Sequence, residues 1–229
     1  MALPEMADPS MALPWVAPLR SEPRLITSDS PPAVPTPLSK VPPLEPSSDC
    51  RLLGIDIENK PLWYGGGDFV YDNVVCFTPK FVGEPAGETV WLDWRKSDRV
   101  LVRLVHPLRD MIEDADALLG HNFRHDLRGL RSVFNHLQQP FLPDRPIVDT
   151  MRCVPGGMPR SLEWMCDMFG LGEKPHVPAR TWIAACERYE PWAIEKVMSR
   201  NRVDVELTER LFEKEKELGW VTPRIRRKG

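Results

Sequence analysis

The sequence contains no apolar run of about 18 residues, which is the length that a membrane-spanning helix needs. Its N-terminal region lacks the basic start and the unbroken apolar core of a signal peptide. The five cysteines form no CxxC pair and are odd in number, which argues against a zinc site or a disulfide framework. These absences predict a reduced, cytoplasmic protein in which the cysteines are small buried hydrophobes.

An excess of charge is also absent from most of the chain. Subtracting the three basic and six acidic residues of the first 49 from the totals of 30 and 33 leaves 27 of each sign. This balance argues against tight, non-specific coating of a nucleic acid duplex. A short basic tail over 223–229 is the exception. We interpret it as a solvated terminus, with a phosphate contact as the alternative.

Proline is unevenly distributed along the chain. The first 49 residues hold 12 of the 25 prolines, and this density is incompatible with regular helix or sheet. We therefore predict a disordered, Pro-rich leader over 1–49. The remaining chain is long enough for one domain of ordinary size, which we place at 50–222, followed by the basic tail over 223–229.

The pattern of apolar residues in the domain predicts three strands, then alternating helices and strands. The predicted strands cover 52–59, 73–78, 88–94, 117–122 and 146–150. The predicted helices cover 97–115, where Pro107 should kink or split the helix, 126–137, 161–170, and Pro191 to Leu218, with an irregular segment over 172–190. This order predicts an α/β fold, with a mixed sheet in which a three-stranded antiparallel meander joins parallel strands, flanked by helices.

Two carboxylates in the first strand are the first sign of a functional site. Asp56 and Glu58 are two residues apart, so their side chains share one face of the strand. Bare charges on a buried strand are costly unless a cation compensates them, and oxygen ligands suit Mg²⁺ or Mn²⁺. The alternative is that both residues lie at a strand end, in water or capping a turn.

Two further acids complete the candidate site. Asp126 follows a short apolar strand and opens the next helix, four residues after Asn122. Asp204 shares a face of the last helix with the apolar Leu207 and Leu211. Its carboxylate should therefore point inward, where an unpaired charge is disfavoured.

With these residues in order, the sequence resembles the DEDD, or DnaQ-like, 3′–5′ exonuclease superfamily, which has the ribonuclease H-like fold. The resemblance covers about 51–212, and the loop after Glu58 is similar to that of bacterial and phage exonuclease-like proteins. The motifs that carry it are Asp56-Ile57-Glu58, Gly120 to Asp126, Asp149-Thr150 with Ser161-Leu162, and Asn201 to Thr208.

The resemblance implies hydrolysis of phosphodiester bonds with two Mg²⁺ or Mn²⁺ ions. Asp56, Glu58 and Asp204 would hold the first ion, and Asp56 with Asp126 the second. Asn122 and Ile57 would contact the nucleotide, although a turn cap is an equally good interpretation of Asn122.

The implied activity is that of a 3′–5′ exonuclease on single-stranded DNA, with an exoribonuclease as the alternative. A catalytically impaired nucleic-acid-binding or polymerase-accessory protein is a further alternative, and a polymerase or other replication protein is the implied partner. Several aromatic residues are candidates for base stacking, although core packing is the better interpretation for most of them. They are Trp63, Tyr64, Phe123, Trp164 and Trp182.

One position departs from the family's pattern. The family has a tyrosine four residues before the last aspartate or a histidine five residues before it, and here Arg200 and Ser199 occupy those positions. Arginine stays protonated, so it cannot act as a general base. We include Arg200 among the catalytic candidates as a group that holds the scissile phosphate, with a solvated or carboxylate-paired arginine as the alternative. His125, next to Asp126, is a weaker candidate for the water-orienting role.

Overall fold

The computed structural model of the protein describes residues 50–61, 73–85, 87–140 and 145–221. The predicted leader over 1–49 and basic tail over 223–229 lie outside these residues, and the domain boundaries stay predictions. No helix in the described ranges is long and apolar enough to cross a membrane. The elements are β1 Leu52–Asn59, β2 Val74–Phe81, β3 Val90–Trp91, α1 Asp98–Asp114, β4 Ala117–Gly120, α2 Phe123–His136, β5 Ile147–Asp149, α3 Thr150–Cys153, α4 Leu162–Phe169, α5 Ala179–Cys186 and α6 Pro191–Glu217.

The five strands form one mixed sheet in the order β3-β2-β1-β4-β5. The pairs β1–β2 and β2–β3 are antiparallel, whereas β1–β4 and β4–β5 are parallel. This topology confirms the predicted α/β fold, in which a meander is extended by parallel strands. Strand β3 is shorter than predicted, and a turn follows it in which the Asp93 carboxylate accepts the N–H of Arg95 at 3.1 Å.

Residues of β1 alternate between two cores. Leu53, Ile55 and Ile57 enter the cluster that β1 shares with α1 and α2. Asp56 and Glu58 point to the opposite face, because the pleat sends successive side chains to opposite sides. That face is covered by α6, which packs on both β1 and β2. The predicted shared face of the two acids is therefore the one that receives the longest helix.

Helix α1 is continuous through Pro107, so the prediction that this proline splits the helix is wrong. A proline removes one hydrogen bond, to the carbonyl four residues earlier, which here belongs to Arg103. Both Pro107 and Arg103 are exposed, so water can satisfy the freed carbonyl. The buried face of the helix is left intact for packing.

Helix α2 begins earlier than predicted, and the short helices α3 and α5 are absent from the predicted elements. Helix α2 begins at Phe123, so Asp126 lies within its first turn and does not open it. The segment 172–190 contains α5, with Pro178 at its N-cap position. The prediction of an irregular segment over 172–190 is therefore wrong for Ala179–Cys186. A proline just before a helix is compatible with it, since its fixed φ suits the extended cap residue.

The last helix, α6, starts as predicted with Pro191 in its first turn and runs for 27 residues to Glu217. Its buried face includes Asn201 and Asp204, with apolar neighbours such as Leu207 and Leu211. These residues recur every three or four positions, so they lie on one side of the helix. The polar part of that face lies over Asp56 and Glu58.

Candidate metal centre

Three of the four predicted acids come together between β1 and α6. Asp56, Glu58 and Asp204 each offer a carboxylate oxygen, and these oxygens lie within 4.8 Å of one another. Glu58 and Asp204 are buried, and Asp56 is partly buried. The alternative in which the β1 acids stand in water at a strand end does not fit this burial. Oxygen ligands at this spacing suit a hard divalent cation.

Asp126 reaches the same region from the opposite side of β1. Its carboxylate lies 3.4 Å from the backbone nitrogen of Ile57, between the two β1 acids. Gly129, one turn later on α2, makes this approach possible. A Cβ at that position would lie 2.5 Å from Cδ1 of Ile57, which is closer than packed atoms allow. The close contact between α2 and β1 at this point therefore depends on the absence of a side chain at Gly129.

The carboxyl groups repel one another in the absence of a metal. Burial is the largest cause that raises the pKa of Asp56, followed by the negative charges of its three carboxylate neighbours. Burial also raises the pKa of Asp126 well above its usual range. It raises the pKa of Glu58 to about 7, although the Arg200 guanidinium acts in the opposite direction. A cation bound among these groups would relieve both the burial and the repulsion.

Arg200 is paired with a carboxylate, as in one of the two interpretations of the sequence. Its Nη1 lies 2.7 and 2.6 Å from the two carboxylate oxygens of Glu58. Its Nη2 lies 3.9 Å from Oδ2 of Asp204, one turn further along α6. The guanidinium therefore sits inside the acidic cluster. Its predicted contact with a phosphate stays a prediction.

Lys174 is a member of the site that the sequence analysis missed. Its Nζ lies 2.7 Å from Oδ2 of Asp204, although it comes from the segment between α4 and α5. No periodic pattern places that segment, and the lysine is followed by Pro175, which favours extended backbone. Only the folded chain shows that this lysine reaches the acids.

Asn201 connects the acidic cluster to the sheet. Its side-chain Nδ2 donates to Oδ2 of Asp56 at 2.7 Å, and its Oδ1 accepts from the hydroxyl of Thr78 at 2.5 Å. Asn201 is completely buried, so this amide has no competing water. These two hydrogen bonds of Asn201 fix the orientation of Asp56. The Thr78 hydroxyl also lies 2.8 Å from the Thr89 hydroxyl.

Asn122 lies at the exposed start of α2 in the left-handed conformation, with φ of 58°. Its backbone N–H donates to Oδ1 of Asp149 at 2.9 Å, and its side chain makes no capping hydrogen bond.

The neighbouring His121 has a hydrogen-bond partner on each ring nitrogen. Nε2 donates to the carbonyl of Arg160 at 2.7 Å, and Nδ1 lies 2.8 Å from the Thr150 hydroxyl. Burial lowers the pKa of His121, which favours this neutral form.

The other candidates have different surroundings. Ile57 packs its side chain into the core, so its predicted contact with substrate stays a prediction. His125 lies against Asn59, with 2.8 Å between its Nε2 and the amide nitrogen. Phe123 and Trp182 are buried, whereas Trp164 is exposed on α4. Trp63 and Tyr64 lie outside the described residues.

The residues present fit a divalent cation. The most direct sign of a cation site is Asp204, whose side chain is only 2 % exposed. Its Oδ1 is buried without a hydrogen-bond partner among the described residues. An unpaired carboxylate oxygen in such a place is costly, and a metal ion is the ligand that would satisfy it.

Comparisons with known proteins support the fold. No protein-family model and no curated protein matches the sequence. Among solved structures, the chain is similar to the family B DNA polymerase from the hyperthermophilic archaeon Pyrobaculum calidifontis, with a TM-score of 0.56 and 20% identity. The match covers 72% of this chain and 24% of the polymerase chain. At this level of identity the likeness shows the fold alone, a mixed five-stranded sheet flanked by helices.

Proposed function

We propose that the protein is a metal-dependent 3′–5′ exonuclease that hydrolyses phosphodiester bonds of single-stranded DNA from the 3′ end. The observation that carries the proposal is the convergence of Asp56, Glu58 and Asp204 within 4.8 Å, with Asp126 on the other side of β1. The order and spacing of these acids, which resemble the DEDD motifs, supply the reaction class.

The four carboxylates would hold Mg²⁺ or Mn²⁺, as two ions by the family resemblance. When bound, such an ion would supply a water of lowered pKa and positive charge for the phosphate oxygens. The contribution of the chain is to hold the carboxylates in position before substrate arrives. Asn201 does this for Asp56, and the approach of α2 at Gly129 does it for Asp126.

Arg200 contributes fixed positive charge to the same centre. Nη1 of Arg200 donates to both carboxylate oxygens of Glu58. The guanidinium is therefore oriented before substrate binds. A pre-oriented cation stabilises negative charge that develops on a phosphate. Since arginine accepts no proton, Arg200 would not take a proton from the attacking water.

DNA is the substrate to test first. The structural neighbour is a DNA polymerase, which agrees with a nucleic acid substrate and with a polymerase or other replication protein as partner. Asn122 stands exposed at the start of α2, where its side chain has no capping role to fulfil. We assign it to contact with the terminal nucleotide.

A second candidate is a catalytically impaired protein that binds nucleic acid or a polymerase. The observation that favours it is the occupation of two metal ligands by protein cations. Arg200 engages both oxygens of Glu58, and Lys174 contacts Asp204. If a metal does not displace or share these contacts, the centre is closed to it.

The deciding experiment follows single strands of DNA and RNA, labelled at either end, with Mg²⁺, with Mn²⁺ and with chelator. The proposal predicts stepwise shortening of the 5′-labelled strand and immediate release of the 3′ label, both only with metal. Asp56→Asn and Asp204→Asn should abolish shortening. Asp167→Asn, an exposed acid on α4, is the matched control and should behave like the wild type.

Each alternative has its own outcome in this assay. Faster shortening of RNA than of DNA would assign an exoribonuclease. Binding of single strands without shortening under either metal would favour the impaired protein and contradict the nuclease.

A further inference from the structure

Two protein cations lie within the acidic cluster. Arg200 places Nη1 between the two oxygens of Glu58, at 2.7 and 2.6 Å. Lys174 places Nζ at 2.7 Å from Oδ2 of Asp204, and Arg200 Nη2 lies 3.9 Å from the same oxygen. These side chains, which we name the cationic pair, come from α6 and from the segment between α4 and α5.

The cationic pair is largely withdrawn from solvent. The side chain of Arg200 is 20% exposed and that of Lys174 is 25% exposed, while Asp204 is only 2% exposed. Charges in such surroundings are screened less than those on an open surface, and each influences the other strongly. The formal charge of the cluster is therefore a physical constraint on what else binds there.

The net formal charge of the four carboxylates and the cationic pair matches the charge of one divalent cation. The four carboxylates carry one negative charge each when ionised, and the cationic pair returns two positive charges. The remaining charge of −2 is cancelled by one divalent ion. A second ion would leave a net charge of +2 in a buried place, which burial disfavours.

We propose that, without nucleic acid, this centre binds one divalent cation, and that the cationic pair supplies the positive charge of a second. The inference rests on the proposed metal centre and deepens it. Arg200 supplies its charge through the ion pair with Glu58, and it lies on the same face of α6 as Asp204. Lys174 supplies its charge through the ion pair with Asp204, from the segment between α4 and α5.

The test counts bound Mn²⁺ on the full chain by equilibrium dialysis, with nucleic acid absent. Wild type should bind one ion per chain. Lys174→Met should still bind one ion, but at least about tenfold more tightly, since removing a nearby positive charge is worth more than 1.4 kcal/mol at these distances. The double variant Lys174→Met/Arg200→Gln should bind two ions.

A matched control and a folding check accompany these variants. Lys196→Met removes an equal charge from an exposed position of α6 and should leave both the number of ions and their affinity unchanged. Thermal melting reports whether each variant folds. If the double variant does not fold, the wild-type count and the affinity of Lys174→Met decide the question.

The possible results separate this inference from the proposed function. Two ions on the wild type, or unchanged affinity in Lys174→Met, would overturn the inference. If such a protein still shortened DNA with metal, the nuclease proposal would stand without it. No bound Mn²⁺ on the wild type at millimolar concentration would overturn both.

Discussion

Glu215, on α6, carries a carboxyl group that is withdrawn from solvent and lies near the Cys153 thiol. The side chain is 0% exposed, and neither carboxylate oxygen has a partner among the described residues. Burial raises its pKa to about 8; the Cys153 thiol lowers this pKa to a smaller extent, and the negative charge of Asp149 raises it. The folded protein therefore holds a neutral carboxylic acid there at neutral pH.

The free energy of unfolding of the wild type should fall as the pH rises through the pKa of the Glu215 carboxyl. In the unfolded chain the carboxyl loses its proton near pH 4.5, whereas in the folded protein it keeps the proton to about pH 8. The stabilising contribution is complete below the lower value and is lost as the pH passes the higher one. At 1.36 kcal/mol for each unit of pH, the loss between about pH 5 and pH 9 is about 4 kcal/mol.

Glu215→Gln removes this titration and keeps the shape of the side chain. Urea denaturation of both proteins in chelator should therefore show the variant gaining about 4 kcal/mol relative to wild type between about pH 5 and pH 9. Glu217→Gln, at an exposed position two residues later, is the control for the loss of a glutamate and should not show this gain. A constant difference for Glu215→Gln would refute the neutral buried carboxyl.

Three other outcomes test the site. Gly129→Ala should cost about 1–3 kcal/mol of stability and slow cleavage, because its Cβ would lie 2.5 Å from Ile57, whereas Gly156→Ala, with nothing within 4 Å, should be neutral. Asn201→Leu should cost about 3 kcal/mol in urea denaturation, since it leaves buried polar partners without their hydrogen bonds. Mn²⁺ at about a hundred times its dissociation constant should stabilise the wild type by about 2.7 kcal/mol, read as a rise in melting temperature that chelator reverses.

Local patterns predicted which side of an element each acid faces, and the resemblance to the exonuclease motifs predicted that three of the acids meet. Alternation along β1 places Asp56 and Glu58 on one face, and the apolar periodicity of α6 turns Asp204 inward. Both patterns are local, and both survive in the folded protein because they determine which side of an element is buried. The order of the elements then predicts the mixed sheet, since short connections leave few topologies.

The cations of the site could not be predicted in the same way. Periodicity tells which face of an element is buried but not how far an irregular segment reaches. Lys174 lies in such a segment, and its contact with Asp204 depends on the path of the chain between α4 and α5. The partner of Arg200 was open for a different reason, because both phosphate and carboxylate oxygens accept paired hydrogen bonds from a guanidinium.

The centre joins residues that are far apart along the chain. The contact between Glu58 and Arg200 spans 142 residues, and that between Asp56 and Asn201 spans 145. Contacts of such sequence separation are among the slowest to form, because a long loop must close first. A chain emerging from the ribosome therefore presents β1 and its acids well before α6 supplies Arg200 and Asp204. By this order of assembly, a nascent chain has no complete centre, and the nuclease that we propose would be inert towards the nucleic acid around it until α6 docks.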